Sequence, residues 1–207
     1  MVITEVKTKK NGTEYEIYID GTQKLVVDTN LVIKFGIEKG LNIDEEWVSK
    51  LCAQANYKSA YDYSLKLLSI KDRVSNEIVN KLKQKKYNQE TINMVLAKLT
   101  DLGYINDEKY VEIWLKERSI LPGMSKKALY YKLLQKGINK CLLNDKFSEI
   151  EIDESSTAFL AAQKKLNEIK GDKKAVKNKL YMYLKRKGYN DEICYNTIRK
   201  VLKDNIW

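Results

Sequence analysis

Pairs of apolar residues four apart recur three times along the chain, each followed by a polar stop and a capping residue. Ile78 and Leu82, Leu129 and Leu133, and Leu180 and Leu184 each predict one buried face of a helix. The same short text follows at an interval of 51 residues: Leu82-Lys83-Gln84-Lys85-Lys86-Tyr87-Asn88, then Leu133-Leu134-Gln135-Lys136-Gly137-Ile138-Asn139, then Leu184-Lys185-Arg186-Lys187-Gly188-Tyr189-Asn190. Gly137 and Gly188 read as left-handed helix stops, with Lys86 in that place in the first copy. Asn88, Asn139 and Asn190 read as N-caps, whose side-chain oxygens accept an orphan amide proton. The next helix restarts at Thr91/Ile92, Leu142/Leu143 and Ile193/Cys194, and runs through Leu96, Phe147 and Ile198 to Leu99, Ile150 and Val201. A fixed interval of this kind marks a repeat protein.

Around this signature the pattern predicts three helices per repeat. Ala60, Tyr61, Ser64, Leu65 and Leu68 form the first stripe, and Asp72 or Ser75 caps the helix after it. The second repeat opens where Gly103 ends a helix and Asn106 or Asp107 caps the next, with Tyr110, Ile113 and Trp114 as its apolar face. Leu121-Pro122-Gly123 makes a turn and Ser125 caps the helix beyond it. In the third repeat Asp153 caps a helix carrying Ala158, Phe159, Ala162 and Leu166, and Gly171-Asp172 is a turn. The amino-terminal pattern has period two instead. Val2, Thr4 and Val6 are expected on one side of a strand and Ile3, Glu5 and Lys7 on the other. Turns at Asn11-Gly12 and Asp20-Gly21 lead to strands at Tyr15–Ile19 and Leu25–Val27. Asp28 opens a short helix, and Asn42 or Asp44 caps another with Trp47, Val48, Leu51 and Cys52 on one face. A three-stranded sheet needs a cover, from these two helices or from the first repeat. The expected fold is mainly α: an elongated array of three tandem three-helix repeats behind a small antiparallel β-plus-helix module. The boundaries fall at 1–57, 58–100, 101–151 and 152–207.

Composition changes this picture in two ways. A 51-residue repeat is marginal alone, so the repeats are expected to lean on one another. Charge is also unevenly placed: residues 1–57 carry 7 Lys and 9 acids, a net of −2, whereas residues 58–207 carry a net of +12. A basic helical array points to a polyanionic partner, against a plain reading as a solvated lysine surface. The chain has no histidine, which removes the commonest general base and metal ligand. Cys52, Cys141 and Cys194 are far apart and read as buried free thiols. No nucleophile–base pair, metal motif or phosphate loop is present. Asp44-Glu45-Glu46 and Asp153-Glu154 are explained as acids at helix N-termini. These features exclude the usual catalytic constellations, and no enzyme activity, metal or cofactor is expected. No apolar leader or membrane-length run appears, so a cytoplasmic monomer without membrane attachment is expected.

The candidate contact residues are basic. Lys85, Lys136 and Lys187 recur at one phase of the repeat, beside Lys86 and Arg186, and would project with similar orientation in a regular array. Arg73, Arg118, Lys126 and Lys127 lie at or near the connections between first and second helices. Arginine suits a bidentate grip on carboxylate or phosphate. The competing reading is that the recurrent lysines complement their own helix dipoles. Tyr130, Tyr131, Tyr181 and Tyr183 are candidates for stacking on bases, or for packing.

Three segments resemble the RecX family, regulators of the RecA recombinase. Leu102-Gly103-Tyr104-Ile105-Asn106-Asp107-Glu108-Lys109-Tyr110 looks like the family's G-[YF]-[IL]-[ND]-D-x-x-[FY] segment. Leu133-x-x-Lys136-Gly137-Ile138 is similar to its L-x-x-K-G-I. Leu67-Leu68-x-x-Lys71-x-Arg73, followed by Glu77-Ile78, is similar to its L-L-x-x-R-x-[RHY]-S-x-x-E-L. Lys71, Val74 and Lys86 depart from the pattern. The likeness covers about residues 58–202, and the strand-rich extension resembles that of Gram-positive members. The resemblance implies binding along the RecA–DNA filament and modulation or inhibition of its ATPase, strand-exchange and coprotease activities, without catalysis by this chain. The alternative is a direct binder of single- or double-stranded DNA through its basic face.

Overall fold

Alternation produces strands at the amino terminus: β1 (Ile3–Thr8), β2 (Glu14–Ile19) and β3 (Gln23–Asp28) form an antiparallel sheet in the order β1-β2-β3. The structure is a computed structural model that describes residues 1–10, 12–118 and 123–204. Asn11 of the first predicted turn, and Leu121 and Pro122 of the later one, lie outside the described residues. In the second turn Asp20 and Gly21 both have positive φ, 47° and 74°, as a type I′ hairpin turn requires. Strict alternation in β1 fails. Ile3 pairs with Ile19 and Glu5 with Tyr18, so two β1 residues oppose one on β2. This bulge turns Val6 to the same side as Ile3, and both join the core that the alternating pattern had placed on opposite faces. The outer edge of β1 is covered by the segment around Leu41, where the Ile3 amide donates to the Leu41 carbonyl (3.0 Å) and the Gly40 amide to Ile3 (2.8 Å). Pairing at this end shortens the open edge to which another chain could add.

The helices, not the first repeat, cover the sheet. Leu31 of α1 (Thr29–Lys34) and Leu51 of α2 (Glu45–Leu68) are buried with Ile3, Ile17, Ile19 and Val27. Asp28 and Asp44 cap the two helices. α2 runs unbroken through the expected boundary at 57/58, because nothing between Ala53 and Lys58 stops a helix. Its two halves serve different cores. Leu51 and Ala60 are nine residues apart, about 180° around a helix, so Leu51 faces the sheet and Ala60 faces the first repeat.

Three helices complete each repeat. The first has the end of α2 with α3 (Ser75–Gln84) and α4 (Gln89–Asp101). The second has α5 (Asp107–Arg118), α6 (Lys126–Gln135) and α7 (Lys140–Glu149). The third has α8 (Glu154–Leu166), α9 (Lys173–Arg186) and α10 (Asp191–Asp204). The mainly helical fold with a small three-stranded sheet agrees with the sequence reading. The chain divides into two compact units. One holds Met1–Arg73 and Ile78–Ile105, with the sheet core and the first-repeat core. The other holds Val74–Glu77 and Asn106–Trp207, with the cores of the second and third repeats. All six residues of the recurrent apolar pairs are fully buried. On α5, by contrast, the buried residues are Val111 and Leu115. Ile113 is 45% exposed, so the apolar face lies one position round from the predicted one.

Within the second unit one pattern of contacts is used twice, first on residues 74–77 and again on residues 125–128. Asp107, the first residue of α5, accepts from the Ser75 amide (2.8 Å) and hydroxyl (2.6 Å) and so caps α3. Glu154, the first residue of α8, accepts from the Lys126 amide (2.7 Å) and caps α6. The return contact satisfies an orphan carbonyl at the end of the next repeat's middle helix. Asn76 Nδ2 donates to Lys136 O (3.2 Å), and the Ser125 amide donates to Lys187 O (3.1 Å). Each junction also presses side chains against the glycine that follows. A Cβ on Gly137 would overlap the Asn76 side chain. One on Gly188 would overlap Ser125 Oγ and crowd the Ala128 Cβ at 3.2 Å. No middle helix precedes the first repeat, and there the exposed Lys86 holds φ 64° in place of glycine. Asp107→Ala is expected to cost about 1–2 kcal/mol in chemical denaturation, with Asp107→Asn recovering part of it.

The thiols divide differently from expectation. Cys194 is fully buried, and burial pushes its pKa up; Cys52 is half-buried and shifted the same way; Cys141 is exposed. Cys141 is therefore expected to react first with a thiol reagent under native conditions, and Cys194 only on unfolding. A single reaction phase for all three would contradict this arrangement.

Candidate partner-binding residues

The recurrent signature places its lysines at helix C-termini, where Lys85 follows α3, Lys136 caps α6 and Lys187 caps α9. Each ammonium lies against a tyrosine ring: Lys85 over Tyr63 (5.5 Å), Lys136 over Tyr110 (5.4 Å) and Lys187 over Tyr183 (5.6 Å). The three are not electrostatically alike. Lys136 Nζ is 3.1 Å from Glu77 Oε1, with both side chains largely covered. Burial works against its charge, but hydrogen bonding with Tyr110 and Glu77 outweighs it and the pKa is raised. Its charge is committed to Glu77 within the second unit. At the next junction Ala128 stands 51 residues after Glu77, and Lys187 has no carboxylate partner among the described residues.

Lys126 is likewise committed. Its amide donates to Glu154 and its Nζ to the Ile150 carbonyl (2.8 Å), closing the end of α7. Lys127 beside it is exposed and takes the place that Asn76 has one repeat earlier. Arg186, exposed, stands where Gln135 stands. The second-to-third junction thus carries Lys127, Arg186 and Lys187 on the scaffold that carries Asn76, Gln135 and an ion-paired Lys136 at the junction before it. Arg118 stacks over Trp114 (5.6 Å), keeping its charge in solvent. In the first unit, Lys85 and Lys86 are exposed, while Arg73 Nε donates to the Leu67 carbonyl (3.3 Å). The nine sequence-selected cations therefore differ in surroundings: Lys126, Lys136 and Lys187 make contacts at the two junctions, and Lys127 and Arg186 stand exposed beside the second.

The tyrosines divide too. Tyr130 donates to Asn144 (2.9 Å) and packs edge-on against Phe147, and Tyr181 donates to Asp191 (2.6 Å). Tyr183 lies beneath Lys165 and Lys187. Tyr131 is 51% exposed. Sequence reasoning passed over Lys165 and Lys179, which flank an open groove beside Arg186. Neither has a lysine 51 residues away, so recurrence gave no signal for them. Among the described residues no helix is long and apolar enough to cross a membrane, and no group of His, Cys, Asp and Glu is placed to hold a metal ion.

Comparison with known proteins identifies the same architecture. A family model described as the first three-helix domain of RecX matches residues 60–99. The regulatory protein RecX of Clostridium perfringens (strain SM101 / Type A) is 31% identical over 204 residues, spanning 96% of this chain and 95% of its own length. That of Clostridium beijerinckii is 30% identical over 198 residues, spanning 94% and 92%. A crystal structure of regulatory protein RecX superposes with a TM-score of 0.68 at 23% identity, covering 96% of this chain and 98% of that one, which is a likeness of fold.

Proposed function

The chain belongs to the RecX family of regulatory proteins, and from that premise we propose that it regulates a RecA recombinase by binding along the RecA–DNA filament. Binding damps the filament's ATPase, strand-exchange and coprotease activities, and this chain contributes no catalysis. The observation that carries the reading is the whole-length relation to the RecX regulatory proteins, from amino-terminal sheet to third repeat. The repeat structure suits the task. Three similar modules can meet successive subunits of a helical polymer, and avidity then replaces any single strong contact. The unpaired cations of the second-to-third junction, Lys127, Arg186 and Lys187, are the proposed anchors, with Arg118, Lys85 and Lys86 as further contacts. Arg73, Lys126 and Lys136 hold the protein's own backbone or carboxylates and contribute mainly by supporting these anchors.

The same unpaired cations support a second reading, direct grip on nucleic-acid phosphates, with the exposed Tyr131 available to stack. The two readings part in one experiment. The protein is added at a stoichiometric ratio to preformed RecA filaments on single-stranded DNA, and ATP hydrolysis and filament length are followed. The regulator reading expects both to fall. A protein that binds bare DNA but leaves assembled filaments untouched supports the second reading alone.

A further inference from the structure

Between the end of α8 and the outer side of α9 lies an open groove of about 450 Å³, inside the third repeat. Its floor is apolar: Met182, 58% exposed at the middle of α9, and Ile169, which packs against the repeat's core from one side. Its rim is cationic, with Lys165, Lys179 and Arg186. The one carboxylate there, Glu168, is paired with Lys165 at 2.7 Å, and that contact holds it below the usual carboxylate range. Lys179 donates to the Lys170 carbonyl (2.9 Å), a contact that orients the ammonium and leaves its charge uncancelled. Arg186 has no carboxylate partner among the described residues. The groove therefore has a net positive rim around a methionine, and methionine is the side chain that adapts most readily to a varied apolar guest.

We propose that this groove is a docking site for an acidic peptide segment that carries one large apolar side chain between carboxylates. The carboxylates meet Lys179 and Arg186, and the apolar side chain displaces water from Met182 and Ile169. Nucleic acid fits less well. Phosphates would satisfy the rim, but the floor presents no aromatic ring on which a base would stack, and the sugar–phosphate chain has no apolar group to fill it. The proposal requires neither a recombinase nor DNA, so it stands apart from the regulatory reading.

The test uses the full chain and fluorescence anisotropy. One probe is a labelled twelve-residue peptide of Asp and Glu with a single central Phe, and a second has Ser in place of that Phe. Oligo-dT is measured in parallel. The Phe peptide is expected to bind, and the Ser peptide at least tenfold more weakly. Met182→Glu and Lys179→Glu should each weaken the Phe peptide at least tenfold, with Lys140→Glu, exposed at the start of α7 and outside the groove, within twofold of the parent. Oligo-dT binding should not respond to Met182→Glu. No binding of the Phe peptide, equal binding of the two peptides, or indifference to Met182→Glu would overturn the proposal. An equal loss of peptide and oligo-dT on Met182→Glu would assign the groove to nucleic acid instead.

Discussion

Gly137→Ala is expected to destabilise the second unit by about 3 kcal/mol, far more than a methyl group added to an open surface. Two costs add. The residue holds φ 87°, where an L side chain costs about 1–2 kcal/mol because its Cβ crowds the following carbonyl. The new Cβ would also overlap the Asn76 side chain, whose own Cβ lies 2.6 Å from the place it must take. Asn76 has little room to retreat, because its Nδ2 serves the Lys136 carbonyl; relief means breaking that bond, at about 1 kcal/mol. Combining Gly137→Ala with Asn76→Ala should recover only the part of the steric cost owed to the Asn76 amide group, because the Cβ 2.6 Å away remains in alanine. Gly103 supplies the control: it has φ 71° and nothing within 4 Å of an added Cβ, so Gly103→Ala should show the backbone cost alone. Urea denaturation of the four proteins decides the matter. Equal losses for Gly103→Ala and Gly137→Ala would mean that the junction does not press on Gly137.

Reversing charge at Lys127 and Lys187 together is expected to weaken association with RecA–DNA filaments by about 100-fold at low salt, at a cost of roughly 1 kcal/mol or more per reversed contact. Neither side chain has a carboxylate partner to lose among the described residues, so thermal stability should fall only by the modest amount owed to the Lys187–Tyr183 contact and a negative charge at the end of α9. If these cations meet phosphates, the slope of log affinity against log salt should also flatten by about 1–2. Lys136→Ala is the contrasting variant. It strips Glu77 of the ammonium at 3.1 Å and should lower stability while leaving the salt slope near its parent value. A double reversal that keeps full affinity and full slope would remove the second-to-third junction from the interface.

Local chemistry was legible in the sequence, and chemistry between repeats was not. Asp28, Asp44, Asn88, Asn139, Asn190, Ser125 and Asp153 all accept amides two or three residues ahead, as the capping pattern predicts, and Asp172, read only as part of a turn, does the same. Their partners lie within one helical turn, so a short window contains the whole interaction. The caps given by Asp107 to Ser75 and by Glu154 to Lys126 span 32 and 28 residues, and no local window joins them. The β1 bulge escaped for a related reason, since an extra residue shows only in the pairing with β2. The junction lysines show the same limit. Recurrence selected Lys85, Lys136 and Lys187 as equals, but whether Lys136 or Lys187 is ion-paired in the fold depends on position 77 or 128, more than fifty residues upstream. Reading Glu77 against Ala128 at the 51-residue interval separates Lys136 from Lys187 without any coordinates.

The direction of the junction contacts fixes how this protein could change length. Both seams among the described residues are asymmetric: a carboxylate reaches back to the middle helix of the repeat before, and a glycine yields to the side chains arriving from that helix. A duplicated second repeat would bring its own copy of each part, and could be spliced in whole with both seams intact. A duplicate of the first repeat, set after the original, would present the Cβ of Lys86 where a neighbour has to press. The first module is thus a finished end, and growth or loss by whole periods is confined to the part of the chain that follows it.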